Sequence, residues 1–128
     1  MAVKNKGRIL VVDDNAGIRG ALKVLLPMHF TDVELISTPK ELVSKIQEFR
    51  PNVVLLDMNF HTDINTGNEG LFWLAEIKKL FPAIEVVLFT AYADIQLAVE
   101  GMKRGAFDFV VKDYESIEKA CVDSDIII

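Results

Sequence analysis

Short, unbroken apolar runs alternate along this chain with stretches whose apolar residues recur every three or four positions. Arg8 to Val12 is a β-branched apolar run that stops abruptly at Asp13-Asp14, the signature of a strand buried on both faces of a parallel sheet. Asn15 is a suitable N-cap for a helix from about Ala16 to Met28. Ile18, Ala21, Leu22, Leu25 and Leu26 form its inner face, and Pro27 lies in or ends its last turn. Asp32 to Ser37 alternates, as a strand nearer an edge does. Thr38 then caps a helix with Pro39 at its first position, running to about Phe49 with Leu42, Val43 and Ile46 inward.

Arg50, Pro51 and Asn52 turn the chain into a third run, Val53 to Leu56, which ends in Asp57. Met58 to Asn68 is long, polar and without period, the kind of loop that is usually functional or mobile. Helical spacing resumes from Glu69 to Leu80 through Leu71, Leu74, Ile77 and Phe81; Pro82 closes it, and Glu85 to Thr90 is another buried strand. Asp94 caps a helix through Ile95, Ala98, Val99 and Met102 that ends near Gly105. Phe107 to Val111 is a fifth strand and Tyr114 to about Val122 a fifth helix. Strands alternating with helices predict one parallel sheet with helices on both faces, joined by right-handed crossovers.

The 128 residues fit one domain with a real core. Residues 1–7 read as an N-terminal tail, and 124–128 as a C-terminal tail or the start of an interdomain connection. A hydrophobic fraction of 51% with 26% charged residues argues against disorder. With 14 basic against 19 acidic residues the net charge is -5, so there is no electrostatic footprint for nucleic acid. Cys121 is the only cysteine, which rules out an internal disulfide and a cysteine-based metal site. The N-terminus has no apolar signal core, and no stretch is long enough to span a bilayer. These features predict a cytoplasmic domain without membrane contact.

The chemistry gathers where the strands end. In a parallel sheet all carboxyl ends share one edge, which is where ligands bind in open α/β folds. The first strand delivers Asp13 and Asp14 there, the third Asp57, the fourth Thr90 and the fifth Lys112. Adjacent strands lie ~4.8 Å apart, so carboxylates on neighbouring strands repel unless a positive group sits among them. Mg²⁺ suits the role, as a hard cation that takes oxygen ligands and keeps several waters. Lys112 offers a compact ammonium and Thr90 a hydroxyl toward an anion on Asp57, and Ala91 leaves room for it. An Asp-Asp pair before a helix, a strand-end Thr and a Lys after a strand are each commonplace alone. Together they describe a site that holds a phosphoryl group on a carboxylate.

At these residues the chain resembles the receiver domains of two-component response regulators. The resemblance runs from Ile9 through the last helix, on Ile9 to Asp14, Val54 to Asp57, Phe89 to Ala91 and Gly105 to Lys112. It implies a flavodoxin-like (βα)5 three-layer sandwich with strand order 2-1-3-4-5. By position it makes Asp57 the phosphoacceptor for a histidine kinase or phosphotransfer protein. Asp14 and Asp57 become direct Mg²⁺ ligands, with the backbone carbonyl of Asn59 as a third and Asp13 acting through water. Thr90 and Lys112 contact the phosphoryl oxygens, and Phe109 is an aromatic switch coupling Thr90 to the face of the fourth helix, fifth strand and fifth helix. Asn59 and Tyr92 take positions that tune dephosphorylation. The only reactions implied are phosphorylation and dephosphorylation of Asp57 itself. Ala98 to Phe109 looks most like receivers attached to sigma-54-dependent transcriptional activators, which implies a separate C-terminal output domain. Pairing of two copies through the fourth-helix to fifth-helix face is left open.

Two departures stand out. Asp113 occupies the place where receivers usually have a proline after a cis peptide. A non-proline cis bond costs about 2.5–4 kcal/mol, against about 0.5–1 for X-Pro, so the Lys112–Asp113 bond is predicted trans. Asp113 also adds a charge able to pair with Lys112. The loop after Asp57 is longer by about five residues, with His61 where a proline is usual and Gly67 and Gly70 arriving late. These departures motivate one alternative, a receiver-like interaction module that takes no phosphate. A hydrolase with an Asp nucleophile and a flavodoxin-like cofactor binder are the others. Against the last, the first connection is acidic and no glycine-rich loop follows any strand.

Overall fold

The computed structural model describes residues 7–58, 69–91 and 95–113. The elements are β1 (Arg8–Val12), α1 (Ala16–Leu25), β2 (Asp32–Ile36), α2 (Leu42–Phe49), β3 (Val53–Asp57), α3 (Glu69–Leu80), β4 (Glu85–Thr90), α4 (Ile95–Lys103) and β5 (Asp108–Val111). All five strands are parallel, in the order β2-β1-β3-β4-β5, which is the flavodoxin-like topology the sequence predicts. The expected helix from Tyr114 and the expected loop from Asn59 to Asn68 lie outside the described residues. Among the described residues, no helix is long and apolar enough to cross a membrane.

Side-chain alternation splits the core into two layers. Ile9, Val11, Val53, Leu55, Val87, Phe89 and Val110 face α1, meeting Leu22, Leu25 and Leu26. Leu10, Val12, Val54, Leu56, Val86 and Leu88 face the other way, onto Leu42 and Ile46 of α2 and Leu71, Leu74 and Ile77 of α3. The central strand β3 is buried at every position, whereas β2 at the edge is only half-buried along most of its length. An unbroken apolar run and an alternating one thus mark centre and edge, as sheet burial requires.

Helix ends follow their local chemistry. The Asn15 side chain accepts from the Ile18 N–H and caps α1. Because Pro27 carries no N–H, the α-helix stops at Leu25 and tightens into a 3-10 turn over Leu26–Met28. Thr38 accepts from the Lys40 N–H, and its helix also begins as a 3-10 turn, Pro39–Glu41. Gly105, at φ +107, ends α4 with the Ala106 N–H on the Gly101 carbonyl.

Some expected positions shift. Ala21 is exposed rather than inward, because it lies at the flank of the apolar stripe and its methyl is too short to reach the sheet. On α4, Val99 and Met102 are 43% and 37% exposed. Ala98, one of the expected positions, is buried together with Gly101, and Leu97 packs against the core. Gly101 packs on Leu88 with no room for a Cβ, so close approach rather than hydrophobicity orients this helix. The outer strands are each one residue shorter than expected, ending at Ile36 and starting at Asp108.

Candidate functional site

The topology brings the acidic strand ends together. β1 and β3 are neighbours with Val12 opposite Leu56, so Asp13 and Asp57, each the next residue, emerge side by side. Asp57 shares its parity with Val53 and Leu55, Asp13 with Ile9 and Val11, and Lys112 with Val110. All three side chains therefore leave the sheet on the α1 face. Asp13 and Asp57 are fully buried, and Asp14 is half-buried beside them. One carboxylate oxygen from each of Asp13, Asp14 and Asp57 lies within 4.8 Å of the others.

Lys112 supplies the positive charge. It follows β5, two strands away from β3, so its side chain must cross β4. It does so over Phe89, with the ammonium 5.4 Å from the ring centroid. The Nζ atom reaches Asp57 Oδ1 at 2.6 Å and Asp13 Oδ2 at 3.2 Å, with the side chain only 17% exposed. Burial is the largest single influence on its pKa and pulls it down. The hydrogen bond and charge of Asp57, joined by those of Asp13, outweigh burial and hold it above the usual 10.5. Lys112 is thus a fixed cation at neutral pH. Three carboxylates against one ammonium leave a surplus of negative charge in a largely dry site. An all-oxygen set of carboxylate donors fits a hard divalent cation, so this acidic pocket can bind a metal.

The loop that carries these groups is tightly held. The Asp13 N–H donates to the Ile36 carbonyl at 3.1 Å, and Asp13 Oδ1 accepts from the Asn15 N–H at 2.9 Å. The Asp13 carbonyl accepts from Arg19 Nη1 at 2.8 Å. On the other side of the site, the buried Met58 donates its N–H to the Phe89 carbonyl at 3.0 Å. The first turn of α3 seats directly on it: a Cβ at Gly70 would lie 2.7 Å from Met58 Cα and 3.0 Å from its carbonyl oxygen. Arg19 and Gly70 were not legible as site residues in the sequence. Arg19 looks like any exposed helical cation, and Gly70 like a late loop glycine.

Thr90 reaches the same edge, buried, at the end of β4. Its parity is that of Val86 and Leu88, so it leaves the sheet on the face opposite Asp57, and its hydroxyl donates to the Ala91 carbonyl at 3.2 Å. Phe109 is half-buried against the layer that holds Leu88, its partner in register, and Val111 beside it pairs with Thr90. Thr90 and Phe109 therefore share a face. The described residues contain no cis peptide, so the Lys112–Asp113 bond is trans as expected. The Asp113 N–H closes a tight turn on the Val111 carbonyl at 2.7 Å. Asn59, His61, Gly67, Tyr92 and Asp94 lie outside the described residues.

Comparison with known proteins agrees with this geometry. The family model for the response regulator receiver domain matches residues 9–120. The transcriptional regulatory protein ZraR of Escherichia coli (strain K12) is 33% identical over 112 residues, 86% of this chain and 24% of that protein. The chain thus spans about a quarter of the length of the curated relatives it matches. Among solved structures, the N-terminal signal receiver domain of a two-component response regulator from Bacteroides fragilis superposes with a TM-score of 0.76 at 49% identity. That match covers 92% of this chain and 98% of the other. NtrX from Brucella abortus, in complex with ADP, gives a TM-score of 0.78 at 29% identity, covering 93% of this chain and 26% of the other. With the family model matching most of its length, and with the strand order and acidic edge described above, the chain belongs to the response regulator receiver domain family.

Proposed function

We propose that Asp57 accepts a phosphoryl group from a sensor histidine kinase or a phosphotransfer protein, and that this modification switches a partner surface. The observation that carries the reading is the Lys112 ammonium, 2.6 Å from Asp57 and 3.2 Å from Asp13 at a cluster of three carboxylates. A carboxylate oxygen of Asp57 attacks phosphorus, a P–O bond forms, and the donor's P–N bond breaks with its electron pair leaving on the imidazole nitrogen. Lys112 is already aimed at the Asp57 carboxylate, through Oδ1. It turns from that carboxylate to a phosphoryl oxygen as charge moves outward, which is the positioning and neutralisation that phosphoryl transfer needs.

Asp14 and Asp57, with the Asn59 carbonyl, are the proposed ligands of Mg²⁺, and Asp13 acts through water. When bound, Mg²⁺ supplies positive charge for the phosphoryl oxygens. Thr90 is the second phosphoryl contact. To make it, its hydroxyl gives up the Ala91 carbonyl, and the space this opens on its face of the sheet is next to Phe109. That gives the switch a route to α4 and β5. The site turns over once per phosphoryl group, so the chain acts as a switch rather than as an enzyme on other molecules. Since ZraR is named as a transcriptional regulator, the proposed output is transcriptional, through a separate C-terminal domain, in the cytoplasm. The acidic receiver itself makes no contact with nucleic acid.

The test is mass spectrometry of the intact chain after incubation with a small acyl phosphate and Mg²⁺. One phosphoryl group is expected on the wild type and none on Asp57→Asn. An unmodified wild type would overturn the proposal, and a modified Asp57→Asn would move the acceptor elsewhere.

A further inference from the structure

The backbone of Asp13 and one of its carboxylate oxygens are hydrogen-bonded. The N–H donates to the Ile36 carbonyl, Oδ1 accepts from the Asn15 N–H, and the carbonyl accepts from Arg19 Nη1 at 2.8 Å, while Oδ2 faces Lys112 as an ion pair at 3.2 Å. That carbonyl belongs to the peptide group joining Asp13 to Asp14. Arg19 sits in the first turns of α1 and also donates its own N–H to the carbonyl of the N-cap, Asn15, at 3.0 Å. One residue therefore ties the helix to its cap and, six residues back along the chain, to the acidic turn.

We infer that Arg19 is a positioning residue for the metal site: anchored on the Asp13 carbonyl, it fixes the Asp13–Asp14 peptide plane and so the direction from which the Asp14 carboxylate enters the cluster. The inference rests on the assignment of Asp14 as a metal ligand made above. Rotation of that peptide would break a charge-assisted hydrogen bond and leave a partly buried carbonyl seeking another donor. Arg19 touches neither the reacting atoms nor a carboxylate ligand in these contacts, so its action passes through the backbone.

Its two properties pull in opposite directions on a cation. As a positive charge near the cluster it repels Mg²⁺; as a clamp on the ligand's backbone it favours binding. Arg19 also lines the groove between α1 and β2, together with Lys23, Asp32 and Glu34. Outer partners that orient metal ligands are generally worth about tenfold to a hundredfold in affinity. Alignment therefore wins, and the sign of the effect separates the two roles.

The experiment is calorimetric titration of the metal-free chain with Mg²⁺ alone, for the wild type, Arg19→Ala and Arg19→Lys. Arg19→Ala is expected to bind about tenfold more weakly. Arg19→Lys, which restores a cationic donor, should recover most of that loss, which a general loosening of the fold would not. Should Arg19→Ala not fold, Arg19→Met keeps the aliphatic stem, and the same weakening is expected. Unchanged or tighter binding in the Ala or Met variant would overturn the inference and leave the proposed function standing. A wild type that binds no Mg²⁺ would overturn both.

Discussion

The two edges of the sheet solve opposite problems with the same kinds of residues. At the amino edge, Arg8 pairs with Asp32 at 3.2 Å, donates to the Phe49 carbonyl at 2.8 Å and stacks over the Phe49 ring, while Asn52 Oδ1 accepts the Arg8 N–H. Both partners of that ion pair are about half exposed, at 45% and 49%. At the carboxyl edge, Asp13 and Asp57 are fully buried and share one ammonium. The amino edge is balanced in charge and wet; the carboxyl edge is dry and carries a surplus of negative charge. Exposed pairs contribute little to stability, whereas buried charges are held only at a cost that a missing partner raises sharply. A fold under selection for stability alone would not concentrate that cost in one place. The contrast marks the carboxyl edge as a pocket that can take a cation.

The largest effect that bears on this contrast is at Lys112. Lys112→Met leaves Asp13 and Asp57 buried without their shared cation, and should lower stability without metal by about 3–5 kcal/mol, read by urea unfolding. A loss as small as that of a surface pair would erase the difference between the edges. Next in size is Gly70→Ala. Its Cβ would press on the Met58 backbone, with an overpacking cost of about 1–3 kcal/mol visible as a lower thermal midpoint. A neutral result would mean that α3 is not held against the strand end.

Asp14→Asn should weaken Mg²⁺ binding about tenfold in calorimetric titration, and an unchanged affinity would take Asp14 out of the ligand set. At the amino edge, Asp32→Asn should change stability by less than about 1 kcal/mol, and still less at high salt. The pH dependence is the subtlest of these tests. Because the folded-state pKa of Lys112 is raised above 10.5, its contribution is fully present below that value and is lost only as pH rises through the folded pKa. The metal-free wild type should therefore lose Lys112-dependent stability only in alkali, and Lys112→Met should lack that alkaline step.

What the sequence made legible follows from what kind of physics placed each residue. The strands were plain because Val53 to Leu56 and Glu85 to Thr90 are buried as continuous runs. Asp13, Asp57 and Lys112 were plain because parallel strands send every carboxyl end to one edge. Parity was less legible: Thr90 reaches that edge but leaves on the opposite face from Asp57, which depends on register that no single run encodes. The facing of α4 was not legible in the spacing of Ile95, Ala98, Val99 and Met102, because Gly101 sets it by close approach to Leu88. Arg19 was invisible because its role lies in a side-chain bond to a backbone carbonyl, and backbone partners leave no pattern in residue types.

A divalent cation should stabilise the acidic cluster at the carboxyl edge. Urea unfolding of the wild type across a Mg²⁺ series, with Asp57→Asn alongside, measures that stabilisation. Stability of the wild type should climb with Mg²⁺, by about 2.7 kcal/mol at a hundred times the dissociation constant, and the climb should be strongly reduced in Asp57→Asn. A wild-type stability that does not respond to Mg²⁺, or the same climb in both proteins, would show that no divalent cation is held at Asp57.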